Sequence, residues 1–278
     1  MELIRYVTIG QYVPGDSAVH RLDPRTKLMA TTLFMVVIFL IPGFAGQGGF
    51  TAFLVALIVM ARIPLGYVLR GLRPVFFLLV LSVALNLFFG SGTEGGRVLW
   101  RLGPFVATWE GLMRGLFVSY RLVLLVVATS LLTFTTSPVS LADGMERLLR
   151  PFQRIGVPAH ELAMMMTIAL RFIPTLLEET EKILKAQMAR GADFTSGGLM
   201  RRLRALLPIL VPLFISAFRR AEELAQAMEA RCYRGGESRT RMKELRYAAR
   251  DAVALAVTLV LSLAFAVPPD RWLRLLPR

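Results

Sequence analysis

Two arginines in matching settings are the residues best suited to chemistry in this chain. Arg190 closes the run Met188-Ala189-Arg190-Gly191, and Arg231 closes Met228-Glu229-Ala230-Arg231-Cys232, forty-one residues further on. A guanidinium is a rigid fork of N–H donors that pairs bidentately with carboxylates. The small neighbours Ala189, Gly191 and Ala230 leave room for a partner surface to close around that fork. The chemistry implied is recognition of an acidic surface, with no bond made or broken. A cation in the last turn of a helix also suits the carbonyl end of the helix dipole. That would explain a basic residue anywhere in the turn, but not the repeated Ala-Arg-small setting.

Other chemistries find little support. There is no glycine-rich phosphate loop ending in Gly-Lys-Ser/Thr, so ATP hydrolysis by that route is not expected. The two histidines, His20 and His160, are too few and too far apart for a histidine metal site. The single cysteine, Cys232, excludes an internal disulfide or a cysteine metal cluster, and it has no neighbouring histidine to activate it. No enzyme, cofactor or metal site is expected. One further feature stands out, the run Met164-Met165-Met166. Three consecutive helical residues sweep about 200° of arc, so they cannot share one narrow seam. They either fill the gap between neighbouring helices or offer part of an adaptable apolar contact, since methionine moulds itself to different partners.

The arginines must be positioned by two long helices. In the first, Leu162, Met165, Ala169, Phe172, Leu176, Ile183 and Leu184 recur at spacings of three and four. Glu178 with Lys182, and Glu181 with Lys185, stand four apart on its charged side. Gly191 supplies a stop, because glycine enters the left-handed conformation freely. In the second, the stripe runs Leu206, Leu210, Leu213, Ala217, Ala221, Leu224 and Met228, with Ala217, Ala221 and Ala225 as a small-residue row. Pro174 and Pro212 are read as one interior proline, and one kink, in each helix. Neither helix is expected to span a bilayer. Leu203–Phe218 is short of about 20 residues and holds Arg204, while the first carries His160, Glu161 and Arg171.

The rest reads as membrane anchor. At 278 residues, 55% hydrophobic and with a mean hydropathy of +0.57, the chain has the composition of a polytopic membrane protein. Its net charge of +14 comes from basic residues flanking apolar segments, which the positive-inside rule explains without nucleic acid. The first 25 residues show no cleavable signal, since Arg5, Asp16, Arg21 and Asp23 interrupt any apolar core. Apolar spans are expected at Leu28–Ile41, Gly49–Ala61, Pro74–Phe89, Gly115–Phe134 and Tyr247–Val267. Residues 138–250 hold nineteen Lys and Arg, so this region is expected to be cytoplasmic, with Arg62, Arg70 and Arg73 on the same side. Glu94, Arg97, Arg101 and Glu110 fall in the connector on the other side. Arg271, Arg274 and Arg278 fit this scheme poorly, because five spans leave them outside.

The fold expected is therefore all-α: a cytoplasmic segment (1–27), four transmembrane helices (28–135), a cytoplasmic module of one short and two long kinked helices (136–246), and a last transmembrane helix with its tail (247–278). Thr136-Ser137-Pro138 opens the short helix, whose stripe is Leu141, Met145, Leu148, Leu149 and Phe152, and Gly156 ends it. Upstream, Asp23 and Pro24 read as cap and first residue of the first span, anchored by Arg25 and Lys27. Arg121 lies inside the fourth span, about 21 Å from its end, either snorkelling to the headgroups or functional.

The segment His20–Leu28, the run Thr135-Thr136-Ser137-Pro138, the run Arg171-Phe172-Ile173-Pro174 and the two arginine-tipped helices closely resemble the transmembrane (T) component of energy-coupling factor transporters, ABC-type importers of vitamins and metal ions. The resemblance covers nearly the whole chain. It implies that Ala189-Arg190-Gly191 and Ala230-Arg231 end two coupling helices, and that each arginine engages an acidic groove in one of two ABC ATPase subunits. Cys232 departs from the Ala-Arg-Gly pattern. The resemblance also implies a small membrane-embedded substrate-binding subunit that topples as the ATPases cycle, and a place in the prokaryotic cell membrane. A self-sufficient permease of another ABC-type transporter is the alternative. Such a protein would bind substrate among its own spans, which hold few polar residues beyond Asn86 and Arg121.

Overall fold

The computed structural model describes residues 12–41, 43–89, 98–102, 105–156, 158–192, 194, 198–235 and 247–266. The chain forms two compact units, one taking in Gly10–Gly144 with Leu245–Arg278, the other Met145–Glu244. Among the described residues the fold is all-α apart from one short hairpin, as its composition and periodicity predict.

The first unit contains α1 (Pro24–Leu40), α2 (Phe44–Ala61), α3 (Leu65–Phe89), the strands β1 (Val98–Leu102) and β2 (Phe105–Thr108), α4 (Trp109–Thr135) and α8 (Ala249–Ala266). Helix α1 begins as its sequence dictates: Asp23 Oδ1 accepts the Arg25 amide at 2.9 Å, and Pro24 takes the first helical position. Apolar side chains of three helices close the core, with Phe34 and Ile38 from α1, Phe50 and Leu54 from α2, and Leu124 and Phe134 from α4. The rings of Phe34 and Phe50 meet edge to face at 4.6 Å. Helices α3 and α4 pack closely because Gly111 and Gly115, four apart on α4, face α3. A Cβ at Gly111 would lie 2.6 Å from the Asn86 carbonyl oxygen, and one at Gly115 3.0 Å from the Val83 Cα.

Several helices start earlier than the apolar runs suggest. Helix α3 begins at Leu65 and runs through Pro74, so Arg70 and Arg73 belong to the helix itself. Helix α4 begins at Trp109, where the Thr108 hydroxyl accepts the Gly111 amide at 3.1 Å. The hairpin ahead of it was not expected. It pairs Trp100 with Ala107 and Leu102 with Phe105, with a register shift between Val98 and Trp100. Expectations resting on Arg5, Glu94, Arg97, Arg271, Arg274 and Arg278 lie outside the described residues.

Lys27 departs from its expected role as a surface anchor. Its side chain is buried, and Nζ donates to the carbonyl oxygens of His20 at 3.1 Å and Thr135 at 2.8 Å. The second bond places a cation on the carbonyl end of α4, where the helix dipole favours it. On the other side of α1, the fully buried Asp251 of α8 accepts the Asp23 amide at 2.8 Å and the Ala248 amide at 2.9 Å. The His20–Leu28 segment thus caps α1 and also ties the end of α4 and the start of α8 to it.

Arg121 reaches the end of α1. Its guanidinium donates to the Ile41 carbonyl at 3.0 Å and lies over the rings of Phe117 (4.9 Å) and Phe39 (5.5 Å). A protein carbonyl and two aromatic faces receive the charge that snorkelling would have carried to the headgroups.

The second unit contains the end of α5 (Pro138–Leu149), a 3₁₀ turn (Arg150–Ile155), α6 (Ala159–Ala189) and α7 (Leu199–Ala230). The Ser137 hydroxyl accepts the Ser140 amide at 3.3 Å and so caps α5. Helix α5 stops at Leu149, short of the expected Phe152, and Gly156, left-handed at φ 91°, ends the 3₁₀ turn that follows. Helix α7 begins at Leu199 and contains two interior prolines, Pro208 and Pro212, where one was expected.

Three described helices are long and apolar enough to cross a membrane: Leu65–Phe88, Trp109–Thr135 and Ala159–Ala189. The segment Gly46–Ala61 is a shorter apolar helix. By length and composition α6 therefore qualifies, although its embedded His160, Glu161 and Arg171 argued otherwise.

Candidate coupling surface

Helices α6 and α7 run antiparallel and are tied by polar contacts. Glu179 of α6 accepts from the Ser216 hydroxyl at 2.6 Å and from the Arg220 guanidinium at 2.7 Å. Further along, Gln187 Nε2 donates to the Pro208 carbonyl at 3.4 Å. That carbonyl is the one left without a helical donor by Pro212, whose ring nitrogen carries no hydrogen. The second proline therefore opens an acceptor on α7 that a side chain of α6 fills. Of the expected pairs along α6, Glu181 and Lys185 meet at 3.7 Å, while Glu178 and Lys182 form none among the described residues.

The two helices end alike. Arg190 is the last half-helical residue of α6 (φ −85°, ψ 6°) and Arg231 that of α7 (φ −92°, ψ 15°). The next residue is left-handed in both cases, Gly191 at φ 86° and Cys232 at φ 58°. The Gly191 amide donates to the Met188 carbonyl at 2.9 Å and the Ala192 amide to Gln187 at 3.0 Å. The Cys232 amide donates to Glu229 at 2.8 Å and the Tyr233 amide to Met228 at 3.0 Å. Both ends therefore close with the same paired 5→2 and 6→1 bonds of a Schellman motif. Cys232 adopts the glycine geometry in spite of its Cβ, which answers the question its departure from Ala-Arg-Gly raised.

At both tips the side chains are free to meet a partner. Ala189, Arg190, Gly191, Ala230 and Arg231 are exposed, and neither guanidinium has a side-chain partner among the described residues. Because the helices are antiparallel, the tips lie at opposite ends of the pair. Each arginine is eleven residues, about 16 Å of helix, beyond the Glu179–Arg220 contact.

The methionine cluster is divided. Met164 is half-buried, whereas Met165 and Met166 are 54% and 43% exposed. On α7 the expected stripe is only partly used against α6. Ser216 and Arg220 make the contact, while Leu206 and Leu210 stay exposed and Val211, Phe214, Ile215 and Phe218 form a second uncovered apolar face. The Glu179 clamp was not legible in advance. Its signal, a carboxylate and an arginine with the same forty-one-residue separation as the two tips, becomes visible only once the helices are paired. Among the described residues no three His, Cys, Asp or Glu side chains converge on a metal-sized site.

Comparison with known proteins identifies the family. Residues 15–242 match the family model CbiQ, described as cobalt transport protein. The chain is 58% identical over 97% of its length to the energy-coupling factor transporter transmembrane protein EcfT of Thermosediminibacter oceani, all of which is covered. It is 54% identical over 94% of its length to the protein of the same name from Acidaminococcus fermentans, covering 96% of that protein. Against the Bacillus subtilis EcfT the identity is 46% over 91% of the chain and 95% of the relative. With identities this high over nearly full lengths, the chain belongs to the family of EcfT energy-coupling factor transporter transmembrane proteins, the T components, and is a multi-pass membrane component of a transporter.

Proposed function

We propose that this chain is the force-transmitting scaffold of an ABC-type importer in the cell membrane. Arg190 and Arg231 each dock into an acidic groove of one of two ABC ATPase subunits. Residues 136–246 form the cytoplasmic coupling module, and residues 28–135 with 247–278 the membrane anchor. The observation that carries this reading is the pair of exposed arginines, held in the same cap geometry at opposite ends of one clamped helix pair. Two separated and equivalent contact points suit a dimer of motor subunits, and a clamp between them lets motion at one tip move the other.

The uncovered apolar faces of α6 and α7 support a second partner, a small integral-membrane subunit that binds the substrate. Met165 and Met166, with Met164 behind them, offer this subunit an apolar contact that adapts to its shape. The family description, which speaks of cobalt transport, supports uptake of a metal ion, and the resemblance to energy-coupling factor importers adds a vitamin as the other substrate class. Purification of the tagged full chain from its native membrane tests the reading. Two ATPase subunits and a small membrane protein are expected to accompany it; a chain that transports alone, without ATPases, would reverse the conclusion.

A further inference from the structure

Within the unit formed by α1, α2, α4 and α8 lies a cavity of about 570 Å³. Much of its wall is apolar, including Phe53, Leu57, Leu131 and Val257. Its polar lining comes from the starts of α1 and α8 and the end of α4, which the Asp23–Asp251 and Lys27–Thr135 bonds bring together. Thr26 lines the cavity with no exposure, and its hydroxyl has no hydrogen-bond partner among the described residues. Lys27, beside it, spends two of its three N–H groups on neutral carbonyls. Two exposed arginines, Arg21 and Arg250, line the same space against one carboxylate, Asp16. The carboxylates of Asp23 and Asp251 are engaged elsewhere, Asp23 by the Arg25 guanidinium at 3.0 Å and Asp251 by two backbone amides.

We propose that this cavity binds an anionic lipid, its acyl chain along the apolar wall and its phosphate or carboxylate head between the Arg21–Arg250 pair and Thr26–Lys27. The volume is within the range of small-molecule pockets, and the lining has their usual plan, mostly apolar with a few convergent polar groups. A buried hydroxyl without a partner, a lysine N–H left over from two carbonyl bonds, and two exposed arginines against one carboxylate together favour an anionic acceptor. The exposed part of the wall, Met60 and Val253, is apolar and gives a chain from the bilayer a way in.

Native mass spectrometry of the full chain, released from nanodiscs of phosphatidylcholine containing phosphatidylglycerol, tests the site. A parallel series with oleate separates a carboxylate head from a phosphate head. One anionic lipid per chain is expected to survive release in preference to phosphatidylcholine. Arg21→Gln and Arg250→Gln are each expected to weaken that preference about fivefold. Ala254→Phe, which fills the cavity from α8, is expected to abolish retention, and Thr26→Val to reduce it, with the thermal midpoint followed in the same samples. Equal retention of neutral and anionic lipid by the unaltered chain would overturn the proposal. So would anionic retention that persists in Arg21→Gln/Arg250→Gln and in a folded Ala254→Phe protein.

Discussion

The Glu179 carboxylate and the Arg220 guanidinium meet at 2.7 Å, and each lies eleven residues before an arginine tip, Arg190 on one helix and Arg231 on the other. The clamp therefore divides the helix pair into two equal outward arms. Because both partners are partly exposed, the ion pair stabilises by no more than about 1 kcal/mol. On the proposed reading its value is in keeping the two long helices in register.

Glu179→Ala is accordingly expected to leave the protein folded, with a small loss of thermal stability, while uptake falls well below that of the unaltered complex. Glu179→Gln, which still accepts from Ser216, should fall between. Normal uptake by a complex carrying Glu179→Ala would show that the levers need no register.

The two caps make opposite predictions. A left-handed residue with a Cβ costs about 1–2 kcal/mol more than glycine. Cys232→Gly should therefore keep or raise stability and leave uptake intact, whereas Gly191→Val should lower both. Denaturation in detergent, read alongside uptake, checks the pair. Loss of function in Cys232→Gly would mean that the thiol itself is needed.

Much of this was legible from the chain alone. Asp23-Pro24 marks a helix start by local chemistry, and Gly156 and Gly191 mark ends by conformation, so each was read correctly without its neighbours. What could not be read depends on residues far apart in sequence. Lys27 and Arg121 looked like membrane anchors, because nothing local reveals that the carbonyls of Thr135 and Ile41 receive them. Helices α3 and α4 were drawn short because their first turns hold arginine or glutamate, which hydropathy counts against a span. The α6–α7 contact could not be read for the same reason as Lys27 and Arg121: Ser216 and Arg220 meet Glu179 only once the two helices are paired.

Asp251 is the residue of the membrane unit least expected from its sequence context, a lone carboxylate near the start of an apolar helix. Asp251→Asn preserves its shape but turns one acceptor into a donor facing a backbone amide. A loss of about 1–3 kcal/mol is expected in detergent unfolding. No measurable change would mean that the Asp23 and Ala248 amides find other acceptors.

The methionine cluster is tested by replacing Met164, Met165 and Met166 together with leucine. Volume and apolarity are nearly kept, so each site should lose less than about 1.5 kcal/mol. Association with the substrate-binding subunit should weaken or become selective among alternative subunits. Unchanged association in a stably folded triple variant would leave the cluster as ordinary packing.

The central claim, that the two arginines carry force from motor subunits, is tested most directly by charge reversal. Arg190→Glu and Arg231→Glu, made singly in the full complex, should insert in the membrane at normal levels. Each should weaken ATPase association, by about 2–5 kcal/mol for the lost charge pair, and abolish substrate uptake. Normal ATPase association and normal uptake in both reversals would contradict the account.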